Sequence, residues 1–172
     1  RLVRNFSAEH ANRVWLADIT YIATEEGWLY LAAVMDMYSR RIVGWNTADR
    51  LDRYLTLTAL DQALRDRRPK PGLIHHSDQG SQYASYEDQQ RLTKAQALSS
   101  MSRKGDCYDN APMESFFSTL KRERVHRRRY WGREEATADI ADYIDRFYNR
   151  QRRHSQLGDL SPVQFETRRI YA

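Results

Sequence analysis

Residues 13–47 read RVWLADITYIATEEGWLYLAAVMDMYSRRIVGWNT. Residues 13–23 are rich in β-branched and aromatic side chains, which suit a pleated surface, and read as a strand. Glu25, Glu26 and Gly27 give a turn signal. Residues 28–35 are a nearly unbroken apolar run, the pattern of a strand buried on both faces. Residues 36–40 turn the chain and 41–47 read as a third strand. Three strands joined by short turns predict an antiparallel meander.

The period then lengthens. Leu55, Ala59, Leu60, Ala63 and Leu64 recur at helical spacing and predict an amphipathic helix over 52–67, stopped by Pro69, Pro71 and Gly72. Residues 73–76 read as a short strand, 86–95 as a helix and 97–101 as a fifth short strand. Asn110 is a favourable N-cap with Pro112 in the first turn, predicting a helix to about residue 124. A last long helix is predicted over 133–150, with Ala136, Ile140, Ile144, Phe147 and Tyr148 as its apolar stripe. This order predicts an α/β fold, a mixed five-stranded sheet flanked by helices.

The 172 residues suffice for one domain with a proper core, and 41% hydrophobic and 12% aromatic content excludes wholesale disorder. No stretch approaches the roughly 18 apolar residues that span a membrane, and the first dozen residues lack the apolar run of a signal peptide. The single Cys107 excludes an internal disulfide framework and a multi-cysteine zinc site. A reduced, cytoplasmic setting is expected. The net charge of +5 is unevenly placed. Residues 1–120 carry 15 basic and 15 acidic side chains, whereas 121–172 carry 13 basic and 8 acidic. Arginine supplies 24 of the 28 positive charges. Its planar fork matches phosphate, so an Arg-rich tail with interleaved Tyr and Trp points to nucleic acid or, equally, to a solvated surface.

Three acidic residues occupy unusual places. Asp18 lies inside the first predicted strand, where Asp is disfavoured. Asp78 follows the strand 73–76, and strand ends are where α/β sheets bind ligands. Glu114 opens the helix after Asn110. Each also has an ordinary reading as an edge residue, a turn former or a helix-dipole partner. If they converge without matching cations they repel, and divalent metal ions would resolve that repulsion. Two such ions can stabilise the attacking and leaving oxygens of a phosphodiester displacement.

The spacing of these residues, with 35 positions between Asp78 and Glu114, resembles the signature of retroviral-integrase-like (DDE) transposases. The words WLADITYI (15–22), DMYSRRIVGW (36–45), HHSDQGSQY (75–83), SRKGDCYDNAPMESFFSTLK (102–121) and YNRQRRHSQLGDLSP (148–162) resemble, in order, those of the bacterial insertion-sequence-three transposases. The resemblance implies a ribonuclease-H-like fold and a transposase catalytic core. It further implies a metal-dependent polynucleotidyl transferase that cleaves 3′ ends of an insertion sequence and transfers strands, for DNA integration and recombination. Asp18, Asp78 and Glu114 would be catalytic and would bind two Mg²⁺ or Mn²⁺ ions.

Lys121, seven positions after Glu114, shares its helix face and is expected to touch DNA. Arg103, Lys104, Arg127, Arg128, Arg129, Arg152 and Arg153 are further candidate DNA contacts. His75 and His76, beside Asp78, read as packing rather than as Mg²⁺ ligands. The expected organisation is a lead-in (1–13), a catalytic core (14–125) and a basic helical extension packed on it (126–172). Expected partners are DNA, a second copy of the chain on DNA, and an upstream DNA-recognition domain or partner absent from this sequence. The family often has glycine near position 96 where this chain has Gln96, which leaves that turn open. The alternatives are a non-catalytic DNA-binding relic and another ribonuclease-H-like nuclease.

Overall fold

The computed structural model of the chain describes residues 8–78, 80, 82–102 and 110–170. At its centre lies β1 (Val14–Thr24), which pairs antiparallel with β2 (Gly27–Asp36) and parallel with β4 (Ile74–Ser77). β3 (Ile42–Ala48) extends the meander beyond β2, and β5 (Leu98–Met101) adds in parallel to β4. The strand order is β3-β2-β1-β4-β5. The mixed five-stranded sheet flanked by helices is therefore as expected.

The two sheet faces carry separate cores. Alternate residues Leu16, Ile22, Leu31, Ala33 and Met35 face α3 (Ala111–Glu123), α4 (Arg133–Ala141) and a π-helical continuation (Asp142–Tyr148). Trp15, Ala17, Ala32 and Val34 face α1 (Arg53–Arg67) and α2 (Tyr86–Lys94). Burying each of the larger aliphatic side chains among these contributes about 1.5–3 kcal/mol, and the alanines less. The continuous apolar run of β2 follows from this double burial.

Local chemistry sets the element ends. Asp52 caps α1 by accepting from the amides of Tyr54 and Leu55. Ser85 caps α2 and is bonded in return by Asp88 Oδ2 at 2.8 Å. Gln96 adopts φ +53°, so the turn into β5 keeps the left-handed geometry that glycine favours. α5 (Pro162–Ile170) was not anticipated. Its Glu166 accepts from Arg67 at 2.8 Å, Ser39 at 2.7 Å and Arg41 at 3.0 Å. Arg67 also reaches Asp36 at 3.2 Å, which ties the C-terminal helix to α1 and to the β2–β3 turn.

The helix expected over 133–150 is corrected in one respect: its second half winds as a π-helix, with Asn149 N–H donating to Ile144 O. The wider turn sets the Asn149 amide against the edge strand. It accepts from Ile42 N–H at 2.9 Å and donates to Ile42 O at 3.0 Å. Sequence periodicity does not separate a π turn from an α turn within an otherwise apolar stripe.

Two stability changes follow. β3 approaches α1 so closely at Gly44 that a Cβ would collide with the carbonyl oxygen of Ala59. Gly44→Ala is expected to destabilise the chain by about 1–3 kcal/mol, read as a lower denaturation midpoint. Gln96→Gly relieves about 1–2 kcal/mol of left-handed strain and costs about 0.5–1 kcal/mol of extra unfolded-state entropy. A small net gain in the same measurement is expected.

Candidate active site

The parallel pairing of β1 with β4 places Leu16 opposite His76. Two residues further along each chain, Asp18 and Asp78 therefore reach the same level of the sheet. β4 ends at Ser77, so the part of β1 that carries Asp18 is no longer covered on that side by β4. This explains how a strand tolerates aspartate: the Ile19 N–H, beyond the last β4 rung, donates to Asp18 Oδ1 at 2.8 Å. Asp78 starts a tight turn in which Gly80 N–H donates to its Oδ1 at 3.1 Å. Asp18 lies on the sheet face covered by α3, and Glu114, in the first turn of α3, completes the group.

The electrostatics show that the three carboxylates are near one another. Burial pushes Asp18 up to about 6, and the charges of Asp78 and Glu114 push the same way. Hydrogen bonds from Ile19 N–H and the Asn110 side chain act in the opposite sense. Among the described residues none of the three forms an ion pair with a protein cation. No three His, Cys, Asp or Glu side chains among the described residues stand at the spacing of a single metal ion. Among the described residues the site is a concentration of hard oxygen donors with no ion-paired cation, which is the donor chemistry of Mg²⁺ and Mn²⁺.

Two further residues belong here. Asn110 stands at the N-cap of α3 as expected, but its side chain makes no cap bond and acts instead to lower the Asp18 carboxyl. The signal was its position four residues before Glu114, on the same helical face. Tyr83 is buried, its hydroxyl has no partner among the described residues, and Asp18 and Asp78 push its ionisation well above the usual range after burial itself. Its aromatic character gave no sign of this. His75 packs near the Tyr83 ring at 6.3 Å, and burial holds it neutral with a value of about 4. His76 Nδ1 lies 3.0 Å from Ser100 Oγ.

The basic candidates are distributed unevenly. Lys121 Nζ sits over the exposed Tyr21 ring at 5.2 Å, and Tyr21 packs edge-on to Trp28. Arg152 is turned inward and donates to Glu123 at 2.9–3.1 Å. Arg128 pairs with Asp139 at 3.2 Å and Arg129 with Glu25 at 2.6 Å. Arg127 and Arg153 are exposed without an ion-pair partner among the described residues. Arg103, Lys104 and Cys107 lie outside the described residues.

The chain is similar to known proteins over nearly its whole length. The family profile described as "Integrase core domain" matches residues 8–107, and a second profile of that description matches 114–170. The chain is 52% identical over 164 residues to the uncharacterized 31 kDa protein of insertion element IS600 from Shigella sonnei, covering 95% of this chain and 60% of that protein. It is 45% identical over 169 residues to the transposase InsF of insertion sequence IS3A from Escherichia coli K12, covering 98% and 59%. This chain thus spans about three fifths of the length of these curated relatives. Among solved structures, the HTLV-2 integrase catalytic core domain in complex with magnesium superposes with a TM-score of 0.68 at 15% identity, covering 92% of this chain and 98% of that one. That likeness shows the fold, which is ribonuclease-H-like.

The electrostatic description is directly measurable. In metal-free protein the Asp18 carboxyl is expected to titrate near 6, followed by carbon NMR of its Cγ. Asp78→Asn or Glu114→Gln removes a like charge and should lower that midpoint. Asn110→Ala removes a donor to the ionised form and should raise it.

Proposed function

The chain belongs to the integrase core domain family, and on that premise we propose that it is the catalytic domain of an insertion-sequence transposase that cleaves and joins DNA strands by metal-dependent polynucleotidyl transfer. The observation that carries this reading is the Asp18 site: a half-buried strand carboxylate raised by desolvation and then by two further carboxylates, with no ion-paired cation among the described residues. In this reading Asp18, Asp78 and Glu114 hold two Mg²⁺ or Mn²⁺ ions. When bound, the ions polarise the scissile phosphodiester and lower the pKa of the attacking water or 3′-hydroxyl. The magnesium-bound catalytic core among the structural neighbours supports the choice of ion.

The remaining roles fall to the chain. Ile19 N–H and Asn110 fix the orientation of the Asp18 carboxylate. Gly80 N–H fixes that of Asp78. Lys121, on the Glu114 face of α3, supplies positive charge to the DNA backbone beside the reacting phosphate. Arg127 and Arg153 extend that contact, with Arg103 and Lys104 assigned to it from sequence alone. Ends of the element are recognised by a segment or partner outside these 172 residues, and the reaction runs on DNA in the bacterial cytoplasm with chains self-associated across two ends. The relatives named as transposases support this reading, and nothing favours a relic or another nuclease.

The test uses duplex DNA carrying the ends of the cognate element, Mn²⁺, and the chain together with its recognition segment. Asp78→Asn is expected to lower cleavage and strand transfer by more than about 100-fold, beyond the usual effect of a residue that merely supports a metal ligand. Asp18→Asn should be equally inactive yet fold normally, because its amide oxygen still accepts from Ile19. Unchanged activity in either variant would remove the proposed metal role.

A further inference from the structure

Helix α3 presents three faces. Met113, Phe116, Phe117 and Leu120 enter the core, while Glu114 and Lys121, seven residues apart, share a second face. Ala111, Ser115, Thr119 and Arg122 form a third face, about a quarter turn round the helix from Glu114. This third face lines one wall of a cavity of about 750 Å³. The opposite wall comes from Arg40 and from Arg152, Arg153 and His154. Four guanidinium groups thus surround the space, against one acidic residue in its lining, Asp159.

Of these, Arg152 is neutralised by Glu123. Arg40, Arg122 and Arg153 have no carboxylate partner among the described residues. Arg40 is half-buried, and among the described residues its guanidinium donates to the Met37 sulfur at 3.7 Å and to no carboxylate. Burial alone holds it below its ordinary range, with a small opposing effect from Tyr148. His154 is neutral: burial, then the fields of Arg152 and Arg40, bring it down to about 4. Its Nε2 is buried without a partner among the described residues. Unpaired, partly desolvated guanidinium groups are costly to hold together without an anion. Planar Arg forks are suited to a phosphate group, and a neutral imidazole N–H adds an uncharged donor.

We propose that this cavity is a phosphate-binding pocket that holds a backbone phosphodiester of the bound DNA, away from the phosphate that reacts at Glu114. The proposal rests on the DNA-joining reading above. Its ligand is placed by α3 itself. From Glu114 to Arg122 the helix advances about 12 Å, on the order of three nucleotides along a B-form strand. A duplex lying along α3 presents one phosphate to the site and another to the pocket. The pocket then fixes the register of the DNA, and the catalytic face acts on it.

The test is DNA binding without metal, by fluorescence anisotropy in EDTA, between about 50 and 200 mM salt. Arg122 and Arg153 are exposed, so the double variant Arg122→Gln, Arg153→Gln leaves the core intact, verified by an unchanged thermal midpoint. It is expected to reduce the slope of log affinity against log salt by about one. The control, Arg146→Gln with Arg168→Gln, removes the same charge from exposed positions outside the cavity and should leave the slope unchanged. Equal loss in both variants, or no loss in either, overturns the pocket. A third arm measures thermal stabilisation by inorganic phosphate. If phosphate stabilises the parent but not the pocket variant while the DNA slope is unchanged, the site takes a free anion and the DNA assignment falls. Because no metal is present, an active Asp78→Asn chain would sink the catalytic reading without touching this result, and the reverse also holds.

Discussion

The short parallel ladder between β1 and β4 is the constraint on which the rest depends. It involves three residue pairs, Val14 with Ile74, Trp15 with His75 and Leu16 with His76. A slip of one residue would turn Asp18 or Asp78 to the other sheet face. The ladder must also be short. Were β4 longer, its backbone would take the Ile19 amide, and Asp18 would lose both its hydrogen bond and the open side of the sheet beside it. The helices on both faces secure the register, since Trp15 and Leu16, adjacent on β1, are each fully buried in opposite cores.

Charge follows a similar division of labour. The first 120 residues balance their charges overall, yet their acids are locally unbalanced at Asp18, Asp78 and Glu114. The excess of the tail is smaller in effect than its count. Arg124, Arg128, Arg129 and Arg152 are occupied by Asp139, Asp142, Glu25 and Glu123. All but one of these pairs lie within the tail itself, and Arg129 with Glu25 ties it to the β1–β2 turn. The exposed pairs among them contribute little to stability, about 0–1 kcal/mol each, whereas pairs on the buried Asp139 and the half-buried Glu123 are better shielded from water. Of the cations without a carboxylate partner among the described residues, Arg122 and Arg153 stand beside α3.

The strands and most helices were legible because their patterns are local: period two with β-branched residues, period near 3.6 with caps. The meander, α1 and α3 are of this kind. The three carboxylates were legible for a different reason, since their spacing is carried by long matching words. Asn110 takes the N-cap position that local rules predict, but only the tertiary approach of β1 explains why its side chain acts on Asp18 rather than capping the helix. Arg152 could not be distinguished from Arg153 along the chain. The partner that separates them, Glu123, is 29 residues away in sequence. Tyr83 and the π turn were beyond reach for the same reason, because three-dimensional packing decides them.

The π turn has one more consequence, which concerns tolerance to insertion and deletion. Between Asp142 and Tyr148 the chain holds one residue more per turn than an α-helix needs. Deleting a single residue there would not break the helix. It would restore ordinary α spacing and rotate all that follows by about 100°. Tyr148, whose hydroxyl donates to Arg40 O, and Asn149, which clamps Ile42, would both swing off the sheet edge. The segment is thus a place where a helix could be shortened at no local cost and the domain would still come undone at its edge. Length at this point is as constrained as composition.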